Sequence, residues 1–311
     1  MTQTRIGIIG LGVISRFYVD AFDELPSLIL TAVCDLKHEV LEPFRDRVAC
    51  YTSHRVLLAQ AAVDAVVVNV PNDVHASVCR DVIEAGLPVC VEKPLAISVE
   101  QGRELTELAR ERDVTLFTSF HRRYNANVLR LLRSIPSDRP IRSLTVRYLE
   151  RIEEHAGPDR WYLNPVRCGG GCVVDNGPNA FDLVRLFLGD LTLEDADVQR
   201  DGDDVDRVAM ISLRTKGGAV ARVELDWRYP GEVKDVTVQL ADGTQLYADM
   251  LAGYPDFKGS LPHEYVRVLE DFTFAMASGQ DRSADGLAAL ELVDAVYRCE
   301  ARIVATPRAD R

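Results

Sequence analysis

The sequence predicts an α/β chain in two parts: a doubly wound parallel sheet first, then an α+β domain with a large open, mostly antiparallel sheet. Three observations predict it. The chain has 311 residues, more than one small core organises. Over its first 118 residues, short apolar runs alternate with amphipathic segments, the rhythm of parallel strands joined by crossover helices. From residue 119 the runs lengthen and tight turns join them, the rhythm of hairpins. The expected domains are therefore 1–118 and 119–311.

Taken in order, RIGIIG is a strand and VISRFYVDAFDEL a helix with apolar positions at helical spacing. LILTAVCD is a second strand. VDAVVVNV is a third, its valines continuous enough for burial on both faces. HASVCRDVIEAG reads as a helix capped by Gly86, and LPVCVEKP as a strand stopped by proline. SVEQGRELTELARERD is a helix with Ser98 as its N-terminal cap, and VTLFTSF a strand. In the second part, IRSLTVRYLERI, RVAMISLRTKGGAVARVELDWR and VKDVTVQLADGTQLYADM are long strands turning at TKGGA and ADGT. Two helices follow, around HEYVRVLEDFTFAMASG and ADGLAALELVDAVYRCEARI.

Composition narrows the function. The chain is 47% hydrophobic and 27% charged, the balance of a globular protein. Its formal charge of −12 argues against a nucleic-acid surface, which requires a clustered basic excess, and Arg122-Arg123 is too short a basic cluster for one. No apolar run reaches the ~20 residues needed to span a bilayer. The N-terminus enters a strand without a basic leader, so a cytoplasmic location is expected. Seven scattered cysteines suit reduced, buried thiols. Cys168 and Cys172 are close together but lack the partner spacing of a zinc site, and no metal is expected.

Three stretches carry chemistry. In IGIIGLGVIS a strand ends at Gly10, and Gly12 lets a pyrophosphate approach the backbone. Val13 and Ile14 open the next helix, whose amides and dipole favour an anion. Ser15 stands where the third glycine of the GxGxxG fingerprint would be. The second strand ends in Asp35, placed to accept hydrogen bonds from a ribose. This predicts a Rossmann domain binding NAD, because a carboxylate repels a 2′-phosphate; Lys37 nearby leaves NADP open. VVVNVPNDVH and VCVEKPLA end successive parallel strands, the edge where ligands bind in such sheets. Further on, GGGCVVDNGPNAFD brings three glycines to a helix start, with Asp175 and then Asn179 one turn later.

Together GLGVIS, VPNDVH, VEKP, SFHRRY, GGGCVVDNGPNAFD and DGLAALELVDAVYR resemble the Gfo/Idh/MocA oxidoreductases across essentially the whole chain. The resemblance implies NAD(P)-dependent hydride transfer to or from a secondary alcohol or ketone of a sugar, nucleotide sugar or cyclitol. It also implies a homodimer or homotetramer formed through the C-terminal sheet. Residue by residue, it makes Lys93 and Asp175 catalytic. Pro71, Asn72, His75, Glu92 and Arg122 line the cofactor, and Tyr162 reaches the substrate. At Asn179 the family usually has histidine as the proton carrier. Asparagine hydrogen-bonds but cannot act as general acid or base. The proton role therefore passes to Lys93, with Asn179 holding the substrate oxygen. Tyr162, His121 and His155 are side chains of the right type to carry the proton in its place. Two alternatives stand beside a simple dehydrogenase: transient oxidation without net redox, as in epimerases and eliminating glycosidases, and a non-catalytic dinucleotide-binding regulator.

Overall fold

The computed structural model describes residues 3–155, 160–202 and 204–305, which form two six-stranded sheets. The chain divides into two compact units, residues 1–121 with 261–287 and residues 122–260 with 288–311.

The first unit is built on a parallel sheet of β1 (Thr4–Ile9), β2 (Leu28–Cys34), β3 (Ala49–Tyr51), β4 (Ala65–Val68), β5 (Val89–Glu92) and β6 (Leu116–Ser119). Their order is β3-β2-β1-β4-β5-β6, and every neighbouring pair runs parallel. The order turns back on itself at β1, which puts the switch point where such sheets bind ligands beyond the carboxyl ends of β1 and β4. All four residues of β4 are fully buried, as the valine run predicts. Each such valine adds roughly 1.5–3 kcal/mol relative to exposure. The expected caps are present: Ser98 accepts from the Gln101 amide at 3.2 Å, and Gly86 turns the chain at φ +74°.

Residues 261–287, expected to belong with the C-terminal domain, pack instead on the first unit. The helix Pro262–Ser278 sets Tyr265 against Phe17 (ring centroids 5.6 Å apart) and Tyr18 (4.7 Å), and Phe272 against Phe117 (5.7 Å). Gly286 lies so close to Thr118 that a Cβ there would sit 2.1 Å from the threonine hydroxyl. The physical reason is aromatic burial: Phe17, Tyr18 and Phe117 need a cover that the first 121 residues do not supply.

The second unit holds β7 (Ile141–Arg151), β8 (Leu191–Arg200), β9 (Asp206–Thr215), β10 (Val220–Asp226), β11 (Arg228–Leu240) and β12 (Gln245–Asp249). Their order is β12-β11-β7-β10-β9-β8. The sheet is mostly antiparallel, but β7 and β10 at its centre pair parallel. One face, including Val146, Tyr148, Leu225 and Val236, is buried with the helix Gly177–Leu188 in a single apolar core. Both expected hairpins turn at glycines, Gly218 at φ +90° and Gly243 at φ +89°. β8 has no clear signal in the sequence because it is an edge strand, LTLEDADVQR, with only Ala196 fully buried. All seven cysteines are free thiols. Among the described residues no helix is long and apolar enough to cross a membrane.

Candidate active site

In the first unit the glycine loop is shaped by its neighbours. Gly10 has φ +93°, and a Cβ on it would sit 2.6 Å from the Asn69 carbonyl oxygen. Only glycine fits where β1 and β4 deliver their loops side by side. A Cβ on Gly12 would meet nothing within 4 Å. Ser15, in place of the third glycine, donates its hydroxyl to the Gly12 carbonyl at 2.7 Å and starts the helix Ser15–Glu24. Asp35 closes the loop from β2: one carboxylate oxygen accepts the Leu11 amide at 2.8 Å, the other the Lys37 amide at 2.9 Å. A carboxylate has about four lone-pair sites, so Asp35 retains capacity for ribose hydroxyls.

Asn69, which lies inside VVVNVPNDVH but has no role assigned from the sequence, follows the valine run of β4 beside this loop. Both polar atoms of its side-chain amide are buried without a hydrogen-bond partner. Such atoms are costly unless something satisfies them. Open space at Gly12, an orphaned amide at Asn69 and a carboxylate at Asp35 together fit a dinucleotide.

Lys93 follows the last residue of β5 and is half-buried. The preceding Glu92 is turned inward, accepting from the Tyr18 hydroxyl at 2.8 Å, while Tyr18 also lies 2.7 Å from the Ser119 hydroxyl. Burial pushes the Glu92 carboxyl up from its ordinary value, and the Lys93 charge and the hydroxyls of Tyr18, Tyr265 and Ser119 pull against it. Glu92, the residue before Lys93, is thus buried and hydrogen-bonded inward. His75 is likewise withdrawn. Its Nδ1 is 2.7 Å from the Pro94 carbonyl and its Nε2 is 2.8 Å from the Val70 carbonyl. Burial pulls its pKa down. The ring ties the loop after β4 to the loop after β5, which fixes the residue following Lys93. Pro71 and Asn72 open the intervening helix Asn72–Glu84, Asn72 being buried. His121 is committed elsewhere, its Nδ1 2.6 Å from the buried Glu264 carboxylate and its ring stacked on Tyr265.

The second unit carries the remaining candidates. Asp175 and Asn179 are both buried, flanking the joint between the short helix Cys172–Asp175 and the helix Gly177–Leu188. Two of the glycines before them are required by packing. A Cβ on Gly170 would sit 2.1 Å from the Tyr297 hydroxyl, and one on Gly171 would sit 2.0 Å from the Asp206 carbonyl oxygen. Asp206, fully buried, accepts the amides of Gly171 at 2.7 Å and Val173 at 2.8 Å and the Tyr297 hydroxyl at 2.9 Å. It caps the short helix from β9, and no local motif announces it. Arg122 is fully buried, donating to the Ser260 hydroxyl at 3.0 Å with its guanidinium over the Phe257 ring. Arg123 forms a bidentate pair with Asp182 on Asn179's own helix, at 2.9 and 2.5 Å. Tyr162 stacks on Trp161 with ring centroids 3.9 Å apart. Glu150, His155 and Glu232 offer ligand atoms within 4.8 Å of one another. However, the Lys234 ammonium already bonds the carboxylates of both Glu150 and Glu232, so this cluster is an ion-pair network.

A parallel sheet that turns back at a glycine loop is the architecture of a dinucleotide-binding domain. Residues 4–120 match the family model for the oxidoreductase family with NAD-binding Rossmann fold, and residues 140–245 match that for the GFO/IDH/MocA C-terminal domain. The chain belongs to the Gfo/Idh/MocA family, and its first unit is an NAD-binding Rossmann domain. Myo-inositol 2-dehydrogenase of Thermotoga maritima is 25% identical over 91% of both chains. D-xylose 1-dehydrogenase (NADP(+)) 2 of Haloferax volcanii is 28% identical over 79% of this chain and 81% of its own. Among solved structures, GenD2 from gentamicin A biosynthesis, in complex with NAD, superposes with a TM-score of 0.86 over 97% of this chain and 95% of that one, at 24% identity.

Proposed function

We propose that the protein is an NAD(P)-dependent dehydrogenase or ketoreductase acting on a secondary alcohol or ketone of a sugar, nucleotide sugar or cyclitol. The observation that carries this reading is the placement of Lys93, half-buried at the ligand-binding edge of the sheet directly after the buried Glu92 carboxylate. The relatives named for inositol and xylose dehydrogenation support the substrate class. When bound, NAD supplies the hydride acceptor. Lys93, when neutral, takes the hydroxyl proton during oxidation and returns it during reduction. Asp175 and Tyr162 orient the substrate hydroxyls. Asn179 holds the reacting oxygen by hydrogen bonding and leaves its proton to Lys93. Asp35 favours NAD, with NADP as the second choice.

A homodimer or homotetramer would form through the outer face of the second sheet. Cross-strand register puts Met210, Glu224, Arg147 and Asp235 on that face, along with the exposed ring of Tyr247.

The test begins with a screen of myo-inositol, pentoses, hexoses and nucleotide sugars against NAD and NADP, following reduced nicotinamide by absorbance. Lys93→Met should then lose about 100-fold or more in turnover, with NAD affinity reduced far less. Near-normal turnover in Lys93→Met would overturn the assignment of the proton to lysine. Asn179→His is expected to leave Lys93 essential. Turnover that needs no added NAD would point instead to transient oxidation without net redox.

A further inference from the structure

Between Asp175 and Asn179 lies Asn176, and the sheet holds its side chain. The Asn176 Nδ2 donates to Glu150 Oε1 at 2.7 Å. The other Glu150 oxygen accepts from Lys234 Nζ at 2.6 Å, and Lys234 also donates to Glu232 at 2.5 Å. Glu150 is 4% exposed and Lys234 2%. The Lys234 ammonium lies 4.3 Å from the centre of the Phe257 ring, which His155 meets edge-on. The His155 Nε2 is 3.5 Å from Glu232 and 3.7 Å from Glu150, completing the cluster on its less buried side.

Stability alone does not explain such a pair. Removing a carboxylate and an ammonium from water is costly, and an apolar pair of the same volume is often as stable. What the pair provides is a fixed acceptor at one point. Asn176 is the joint between two helices: its amide bonds the Cys172 carbonyl at 2.9 Å and its carbonyl accepts the Ala180 amide at 3.1 Å. Holding its side chain therefore sets the residue before it, Asp175, and the first turn after it, which carries Asn179. At the other end of the segment Asp206 grips the Gly171 and Val173 amides. The stretch 171–176 is clamped at both ends by buried carboxylates from the sheet.

We infer that Glu150, kept in place by Lys234, is a positioning residue that fixes Asp175 and Asn179 through Asn176. The inference rests on the proposed reading in which Asp175 and Asn179 handle substrate. Neither Glu150 nor Lys234 needs to touch the substrate to act in this way.

Two double variants of the full chain test it, because both remove the buried charges at 150 and 234 together and both leave the more open Glu232 equally without Lys234. Glu150→Gln with Lys234→Met keeps an amide oxygen to receive Asn176; Glu150→Leu with Lys234→Met does not. Both are expected to melt cooperatively and to bind NAD equally. With the polyol that turns over best in the screen, kcat of the Leu/Met protein should fall about 10- to 100-fold below that of the Gln/Met protein. Hydrogen exchange followed by mass spectrometry should show faster exchange across residues 175–180 in the Leu/Met protein alone. Equal exchange in the two doubles overturns the inference, whatever the turnover. Equal kcat alongside an inactive Asp175→Ala also overturns it. If Asp175→Ala keeps its turnover, the reading of the site fails instead, while the exchange contrast still decides whether Glu150 holds Asn176.

Discussion

Glu150 shows how one side chain couples local charge to the behaviour of the whole chain. Burial alone would raise its carboxyl, but the Lys234 charge, the Lys234 hydrogen bond and the Asn176 amide outweigh burial and hold it at about 2. A carboxyl whose folded pKa is depressed contributes stability above its unfolded value, near 4.3. That contribution is lost as pH falls through the folded value. The window is thus about pH 4.5 down to 2, and the full effect is on the order of 3 kcal/mol. Urea unfolding at pH 6 and at pH 3.5 should show this as a steeper acid loss in the wild-type protein than in the Glu150→Gln, Lys234→Met double variant. Equal acid slopes in the two proteins would mean that the carboxylate is not held low by its partners. At the same scale, His121 and His155 part company. One is bonded to Glu264 and buried under Tyr265, while the other remains partly open beside two acids.

At the scale of elements, the glycines divide by the reason each is needed. Gly171→Ala forces a Cβ into the Asp206 backbone, which cannot swing aside, and should destabilise the chain by about 3 kcal/mol or more. Gly12→Ala meets open space and should leave the melting temperature within the effect of about 0.5 kcal/mol. It should nonetheless weaken NAD binding about tenfold or more, because a methyl group stands where the pyrophosphate approaches. Thermal melts and NAD titrations on the two variants check the contrast; the reverse pattern would undo it. The same division explains what is legible in the sequence. Gly10, Gly12, Asp35 and the β4 and β5 strand ends are readable because that cofactor loop is made of contiguous residues with a local geometric reason. The GGG run is readable as a loop leading to a helix start, but its packing partners, Asp206 and Tyr297, lie far along the chain and are not. Glu150, Lys234 and Asp206 are illegible for the same cause. Each reads as an ordinary polar residue of an alternating strand, and only register and burial reveal what it holds. The roles of Glu92 and His75 are half-legible: the motifs mark their positions, but not that both side chains face inward.

For the whole molecule, the consequence is that the order of the chain and the membership of its units differ. Residues 261–287 complete the first unit, where Tyr265 covers Phe17 and Tyr18 and joins the hydroxyls around Glu92, and Phe272 covers Phe117. A fragment of residues 1–121, cut just past the expected boundary at 118, would keep every strand of the parallel sheet and the glycine loop. It would also expose three aromatic side chains, whose burial contributes roughly 1.5–3 kcal/mol each, a large share of the roughly 5–15 kcal/mol by which domains are stable. Residues 1–121 alone should therefore unfold without a cooperative transition and bind NAD poorly. The same residues joined through a flexible Gly/Ser linker to 261–287 should regain a cooperative melt and saturable NAD binding. A fragment 1–121 that melts as sharply as the joined form would show that the parallel sheet is self-sufficient. Recovery in the joined form alone would show that this Rossmann unit depends on a helix encoded far beyond its last strand, which ties cofactor binding to completion of nearly the whole chain.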